Sequence, residues 1–111
     1  MMRYLPILIL LFAPGCSQDT ADWDELAYRD DGRIYKSDSE QPFTGIAYDR
    51  WKNGQTRLRQ PFFDGKKHGW QRSWYENGQK SSVGEWSSGE PIGTWTFWDR
   101  DGDESEHNYD N

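Results

Sequence analysis

Hydrophobic positions along this chain fall into two unlike patterns. Residues Tyr4 to Phe12 (YLPILILLF) are an almost unbroken apolar run with Arg3 just before it. Further on, apolar side chains come in short aromatic-rich stretches separated by glycine-containing pairs. GIAYDRW precedes Asn53, GWQRSWY precedes Asn77 and GTWTFW precedes Asp101, with return stretches TRLRQPFF (56–63) and KSSVGEWS (80–87). No window sustains the i, i+3, i+4 apolar spacing of an amphipathic helix. Short runs bounded by turn signals about every eleven residues read as strands. Within them alternation is partial. Trp70, Arg72 and Trp74 share one face, Gln71, Ser73 and Tyr75 the other, and Trp95 and Phe97 oppose Trp98. The pattern predicts an all-β fold, an antiparallel meander of about six strands built from repeated hairpins.

The glycines give those hairpins a period. Asn53-Gly54, Asn77-Gly78 and Asp101-Gly102 are 24 residues apart; Gly45, Gly69 and Gly93 follow the same step, and so do Gly65 and Gly89. Asp31-Gly32 opens an earlier unit that is two residues shorter, with Tyr28 and Ile34-Tyr35 flanking it. Asn-Gly and Asp-Gly favour the two-residue type I′ turn, in which both residues take positive φ. The expectation is a type I′ turn at each of these four pairs.

Composition changes the picture in two ways. A mean hydropathy of −1.11 is that of a disordered chain. Seven Trp, six Tyr and five Phe in 111 residues argue the reverse, because disordered segments lack the apolar area that offsets ordering entropy. A polar, Gly-rich, Trp-rich sequence of this length predicts a thin sheet with a small core.

The apolar run near Arg3 is nine residues long, against the roughly twenty that cross a bilayer as a helix. Read as an export signal over residues 1–15, it is set aside from the fold. What remains is 96 of the 111 residues, and Arg3 is the one charge removed. The balance becomes 12 basic to 19 acidic side chains, or −7 with neutral histidines. That acidity argues against nucleic acid as a partner. Cys16 is the sole cysteine and directly follows Ala13-Pro14-Gly15. The arrangement resembles the lipobox of bacterial lipoproteins, which implies cleavage before Cys16, a lipid on its sulfur and attachment to a membrane through it. Ser17, where an Asp would favour inner-membrane retention, points to the outer membrane facing the periplasm. An ordinary secretory signal with a chance cysteine is the other reading.

The strings RWKNGQTRLRQPFFDGKKHGWQRSWYENG (50–78), WYENGQKSSVGEW (74–86) and GEPIGTWTFWDRDG (89–102) resemble the MORN-variant repeat, found in bacterial proteins often labelled YwqK-family antitoxins. DDGRIYKSDSEQPFTG (30–45) is similar to the opening of such arrays. The resemblance implies β-hairpin arrays that bind other proteins. It divides the chain into a signal (1–15), a lipid-anchored linker (16–24), a repeat domain (25–102) and an acidic flexible tail (103–111).

Chemistry beyond binding finds little footing. His68 lies in DGKKHG, where the next unit has Ile92, and His107 lies in the polar end segment. Neither pairs with a nucleophile motif, so no catalytic residues and no cofactor are assigned. The acidic run from Asp99 to Glu106 lacks the glycine a calcium loop needs at position six, where Glu104 stands, and no metal is assigned. Lys66, Lys67, Arg57 and Arg59 form the densest basic cluster, read as a solvated turn and face with an acidic partner or lipid headgroups as the alternative. The aromatics exceed what a one-sided core needs. Trp70, Arg72 and Trp74 on a central strand combine residue types enriched at interface hot spots, and are the candidate partner-binding residues. The reading is a lipid-anchored, non-catalytic protein-binding module. Its rivals are an antitoxin or immunity protein, and a carbohydrate-binding envelope protein using exposed Trp.

Overall fold

The computed structural model describes residues 19–110; residues 1–15, read above as an export signal, and Cys16 lie outside them. The elements are β1 (Thr20–Asp22), a 3-10 turn (Trp23–Glu25), β2 (Leu26–Tyr28), β3 (Ile34–Lys36), β4 (Gly45–Arg50), β5 (Thr56–Phe63), β6 (Lys66–Lys67), β7 (Gly69–Trp74), β8 (Lys80–Ser87), β9 (Glu90–Trp98) and β10 (Glu104–Asn108). The chain is all-β. One sheet runs β1-β4-β5-β7-β8-β9-β10, with β6 paired beside β5, and β2-β3 form a separate hairpin. Every pairing is antiparallel except that of β1 with β4.

The Asn-Gly and Asp-Gly loops are not type I′ turns. Gly54, Gly78, Gly102 and Gly32 have positive φ, but Asn53, Asn77, Asp101 and Asp31 do not. Gly54 N–H donates to Trp51 O and Trp51 N–H to Gln55 O, which describes a type I turn closed by a glycine bulge. Tyr75–Gln79, Asp99–Asp103 and Arg29–Arg33 make the same pair of bonds. The physical reason lies in the polar side chain. Held right-handed, Asn53 accepts the Gln55 N–H on its own Oδ1 at 2.9 Å, and Asn77 does the same for Gln79 at 3.0 Å. The positive-φ pairs are instead Asp64-Gly65 (φ 52° and 79°) and Ser88-Gly89 (47° and 91°), at the opposite end of the strands.

The core sits under only half of the sheet. Ala21, Ala47 and Phe62 on one face meet Ile34 and Phe43, with Trp23 and Leu26 against them. Phe62 packs edge-on to Phe43 at 6.1 Å and tilted to Trp23 at 5.9 Å. Burying a side chain of this size contributes about 1.5–3 kcal/mol. The β2-β3 hairpin is fastened to the Asp64-Gly65 turn: Ile34 N–H donates to Gly65 O, Gly65 N–H to Phe43 O, and Arg33 Nε to Asp64 O.

Among the described residues the other half of the same face has no second layer, and aromatics shield one another there. Trp95 is buried, edge-on to Trp86 at 5.5 Å, stacked on Phe97 at 6.2 Å and edge-on to Tyr109 at 5.8 Å. Its ring lies so close over Gly84 that a Cβ at that position would fall within it.

Two expected boundaries are corrected. Residues 103–111 are not a flexible tail over the described part: Glu104–Asn108 form β10, paired with Trp98–Thr94 of β9. Tyr109 N–H then donates to Gly93 O, and Gly93 N–H to Asp110 Oδ1, so the aromatic anchor outweighs the acidic composition. Residues 16–24 are not all linker either. Thr20–Asp22 pair with Ile46–Tyr48, and Ala21 enters the core.

Candidate functional site

β7 lies inside the sheet, between β5 and β8, and its side chains alternate between the two faces. On the face away from the core, Trp70 is 47% exposed and Arg72 is exposed; Trp74, expected beside them, lies past a register shift at Ser73/Trp74, is half-buried and borders the groove described below. Trp70 stands opposite Glu85, and Arg72 is opposite Val83 on one side and Arg59 on the other. Like charges directly opposite repel, and none of the described ion pairs engages Arg59 or Arg72. This face therefore joins a large exposed indole to two guanidiniums that enter none of the described ion pairs.

The basic cluster inferred along the chain is dispersed. Arg59 lies on the open face, Arg57 pairs with Asp49 (Nε to Oδ2, 3.0 Å), and Lys66 and Lys67 sit beyond the Asp64-Gly65 turn. Lys67 is carried over the Trp86 ring, 4.6 Å from its centroid, and desolvation holds its ammonium pKa below the ordinary value. With Trp86, the exposed Tyr28 and Ser88 it borders a cleft of about 390 Å³. Although the Tyr28 side chain is exposed as a whole, partial desolvation raises its hydroxyl pKa.

A second feature escaped sequence reasoning. At Asp49/Arg50 and at Ser73/Trp74 the strand register shifts, leaving Arg57 and Ser81 as extra residues on β5 and β8. On the core-side face the shift gathers Ser73, Ser81 and Ser82: Ser73 Oγ lies 2.7 Å from Ser81 Oγ and 2.5 Å from Ser82 Oγ. Beside them Arg57 lies over the Trp51 ring at 5.3 Å, and Arg100 over the Tyr75 ring at 4.8 Å. Ser73, Ser81, Arg57, Trp51, Tyr75 and Arg100 border a groove of about 370 Å³ at the Asn-Gly end of the sheet, with Ser82 buried behind them. Strict alternation separates Ser81 from Ser82, and only a bulge brings them together.

The histidines are held by local structure. His68 Nδ1 accepts the Ser88 N–H at 3.1 Å and its ring packs on Phe63, while His107 in β10 packs edge-on to Tyr109 at 4.4 Å. Asp99 Oδ1 accepts N–H groups of Asp101 and Asp103 within its loop. Among the described residues no group of three or more His, Cys, Asp or Glu is placed to hold a metal ion, and no helix is long and apolar enough to cross a membrane. Comparison with protein-family models, with curated proteins and with solved structures finds no match.

Proposed function

We propose that this chain is a non-catalytic binding module of a bacterial envelope, anchored by lipid on Cys16 and docking another protein through the open sheet face around Trp70. The observation that carries the reading is the 47% exposure of Trp70 on an interior strand, beside the unpaired Arg59–Arg72 couple. An exposed indole is a typical hot-spot anchor, and two neighbouring guanidiniums call for a carboxylate from outside. The partner surface accordingly offers an apolar recess rimmed by Asp or Glu. The repeat resemblance in residues 25–102 supports the same kind of work.

Cys16 is three residues before Asp19, a reach of at most about 10 Å. Acylation there holds the sheet at the bilayer surface, and several acyl chains make that attachment stable. Two measurements test the proposal. Fatty-acid labelling is expected for the wild-type chain and absent for Cys16→Ser. Cross-linking from a photoreactive residue at position 70 in intact envelopes is expected to trap one protein reproducibly, and its neighbouring gene separates an immunity role from general docking. Labelling of Cys16→Ser, or no specific adduct from position 70, overturns the corresponding half.

A further inference from the structure

The polar side chains open to the groove on the opposite face of β7 are Arg57, Gln71, Ser73, Ser81 and Arg100, each of which carries a donor. Gln71 accepts the Trp86 indole N–H on Oε1 at 2.8 Å, which leaves its Nε2 to donate into the groove. The three serine hydroxyls bond one another through two contacts that use two of their three protons, so one O–H remains to donate outward. The Arg57 Nε is engaged by Asp49, and its terminal nitrogens are left to donate. Arg100 takes part in none of the described ion pairs.

The rings beneath the cations are fixed in place. Trp51 Nε1 donates to Trp74 O at 3.1 Å and Tyr75 OH to Trp98 O at 2.7 Å, so both rings are pinned by their polar ends while an arginine lies over each. Stacking of this kind preorganises a guanidinium for bidentate recognition. No carboxylate lines the groove among the described residues, although the whole chain carries a formal charge of −6. The charged side chains that line the groove are thus both basic, with Asp49 offsetting part of the Arg57 charge, and basic lining favours an anionic ligand. Leu58 adds an apolar patch between the donors.

We propose that this groove binds an anionic saccharide, a hydroxyl-rich ring bearing a carboxylate. The carboxylate lies between Arg57 and Arg100, ring oxygens accept from Gln71 and the serine group, and the C–H face of the ring covers Leu58 and Trp51. A volume of about 370 Å³ holds one or two sugar units. A neutral glycan leaves the Arg100 guanidinium and the free terminal nitrogens of Arg57 without a carboxylate, and a bare inorganic anion leaves the amide and hydroxyl donors unmet. This inference is independent of the Trp70 face, from which the groove is separated by the thickness of the sheet.

Titration calorimetry with oligomers of uronic acid, neutral glucose oligomers of equal length and inorganic phosphate tests it. The uronate oligomer is expected to bind at least about tenfold more tightly than the neutral one and than phosphate, with affinity falling as salt is raised. Arg100→Gln, in an exposed loop, is expected to weaken uronate binding about tenfold or more without moving the melting temperature. Arg57→Gln is expected to do the same, and because it also breaks the Asp49 ion pair, Arg100→Gln carries the decision. Failure of the wild type to bind uronate overturns the proposal. Equal affinity for neutral and acidic oligomers, phosphate binding as tightly as uronate, or unchanged binding by Arg100→Gln each overturns it as well.

Discussion

The indole N–H of Trp51 donates to the backbone carbonyl of Trp74 over 3.1 Å, reaching from one hairpin loop to the end of the next strand pair. One hairpin further, the Tyr75 hydroxyl makes the same reach to Trp98 O at 2.7 Å. Adjacent hairpins are thus locked by an aromatic polar end as well as by ladder bonds. Trp51→Phe and Tyr75→Phe retain most ring packing and remove one hydrogen bond each. Each is expected to cost about 1 kcal/mol in urea denaturation. Unchanged stability in both would show that the reach does not couple the hairpins.

Gln60 is fully buried, its Nε2 donates to Pro61 O, and its Oε1 has no partner among the described residues. An unmet buried acceptor costs about 1–3 kcal/mol, which an apolar side chain of similar shape avoids. Gln60→Met is therefore expected to leave stability unchanged or raise it by about 1 kcal/mol. A loss beyond 1 kcal/mol would mean that the amide is satisfied in solution.

Gly84 and Gly89 separate steric from conformational need. Gly84 has no positive φ, but its missing Cβ is the space under the Trp95 ring; Gly89 has φ 91° and open surroundings. Gly84→Ala is expected to cost about 1–3 kcal/mol by overpacking and to alter near-ultraviolet dichroism as Trp95 moves. Gly89→Ala is expected to cost a similar amount through backbone strain and leave that spectrum unchanged. Identical spectra for both variants would contradict the placement of Trp95.

Asp31 and Tyr35 form a pH-sensitive contact at the first hairpin. The Tyr35 hydroxyl donates to Asp31 Oδ2, which, together with the Arg33 N–H, holds the Asp31 carboxyl below its usual range. A carboxyl depressed on folding stabilises above its unfolded pKa, and that stability is lost as pH falls through the lower folded value. The same bond raises the Tyr35 pKa, so its contribution is present below the ordinary tyrosine value and is lost as pH rises through the folded one. Tyr35→Phe is expected to flatten the alkaline limb of the stability profile and to return Asp31 towards its ordinary pKa. An Asp31 titration unmoved in carbon-detected NMR would refute the contact.

The sequence carried the class of fold because turn signals and aromatic alternation are local. The loop geometry was not legible, since Asn-Gly suits both a type I′ turn and a type I turn with a glycine bulge; the side-chain bond from Asn53 to Gln55 decides between them. Glu104–Asn108 looked like a solvated tail because the pairing depends on Tyr109 reaching Trp95, a contact with no local pattern. The placement of Trp70 and Arg72 on one face followed from strict alternation along β7. The serine and arginine groove did not, because each bulge adds a residue that alternation cannot count.

The central claim is that Trp70 serves an interface and not the core. The most direct measurement is thermal unfolding of Trp70→Ala alongside its recovery of the cross-linked partner. The melting temperature is expected within about 4 °C of wild type, in line with a surface change of under about 0.5 kcal/mol. Recovery of the partner is expected to fall at least tenfold, as for the loss of a hot-spot residue. Unfolding of Trp70→Ala, or undiminished recovery by a folded Trp70→Ala, would contradict it.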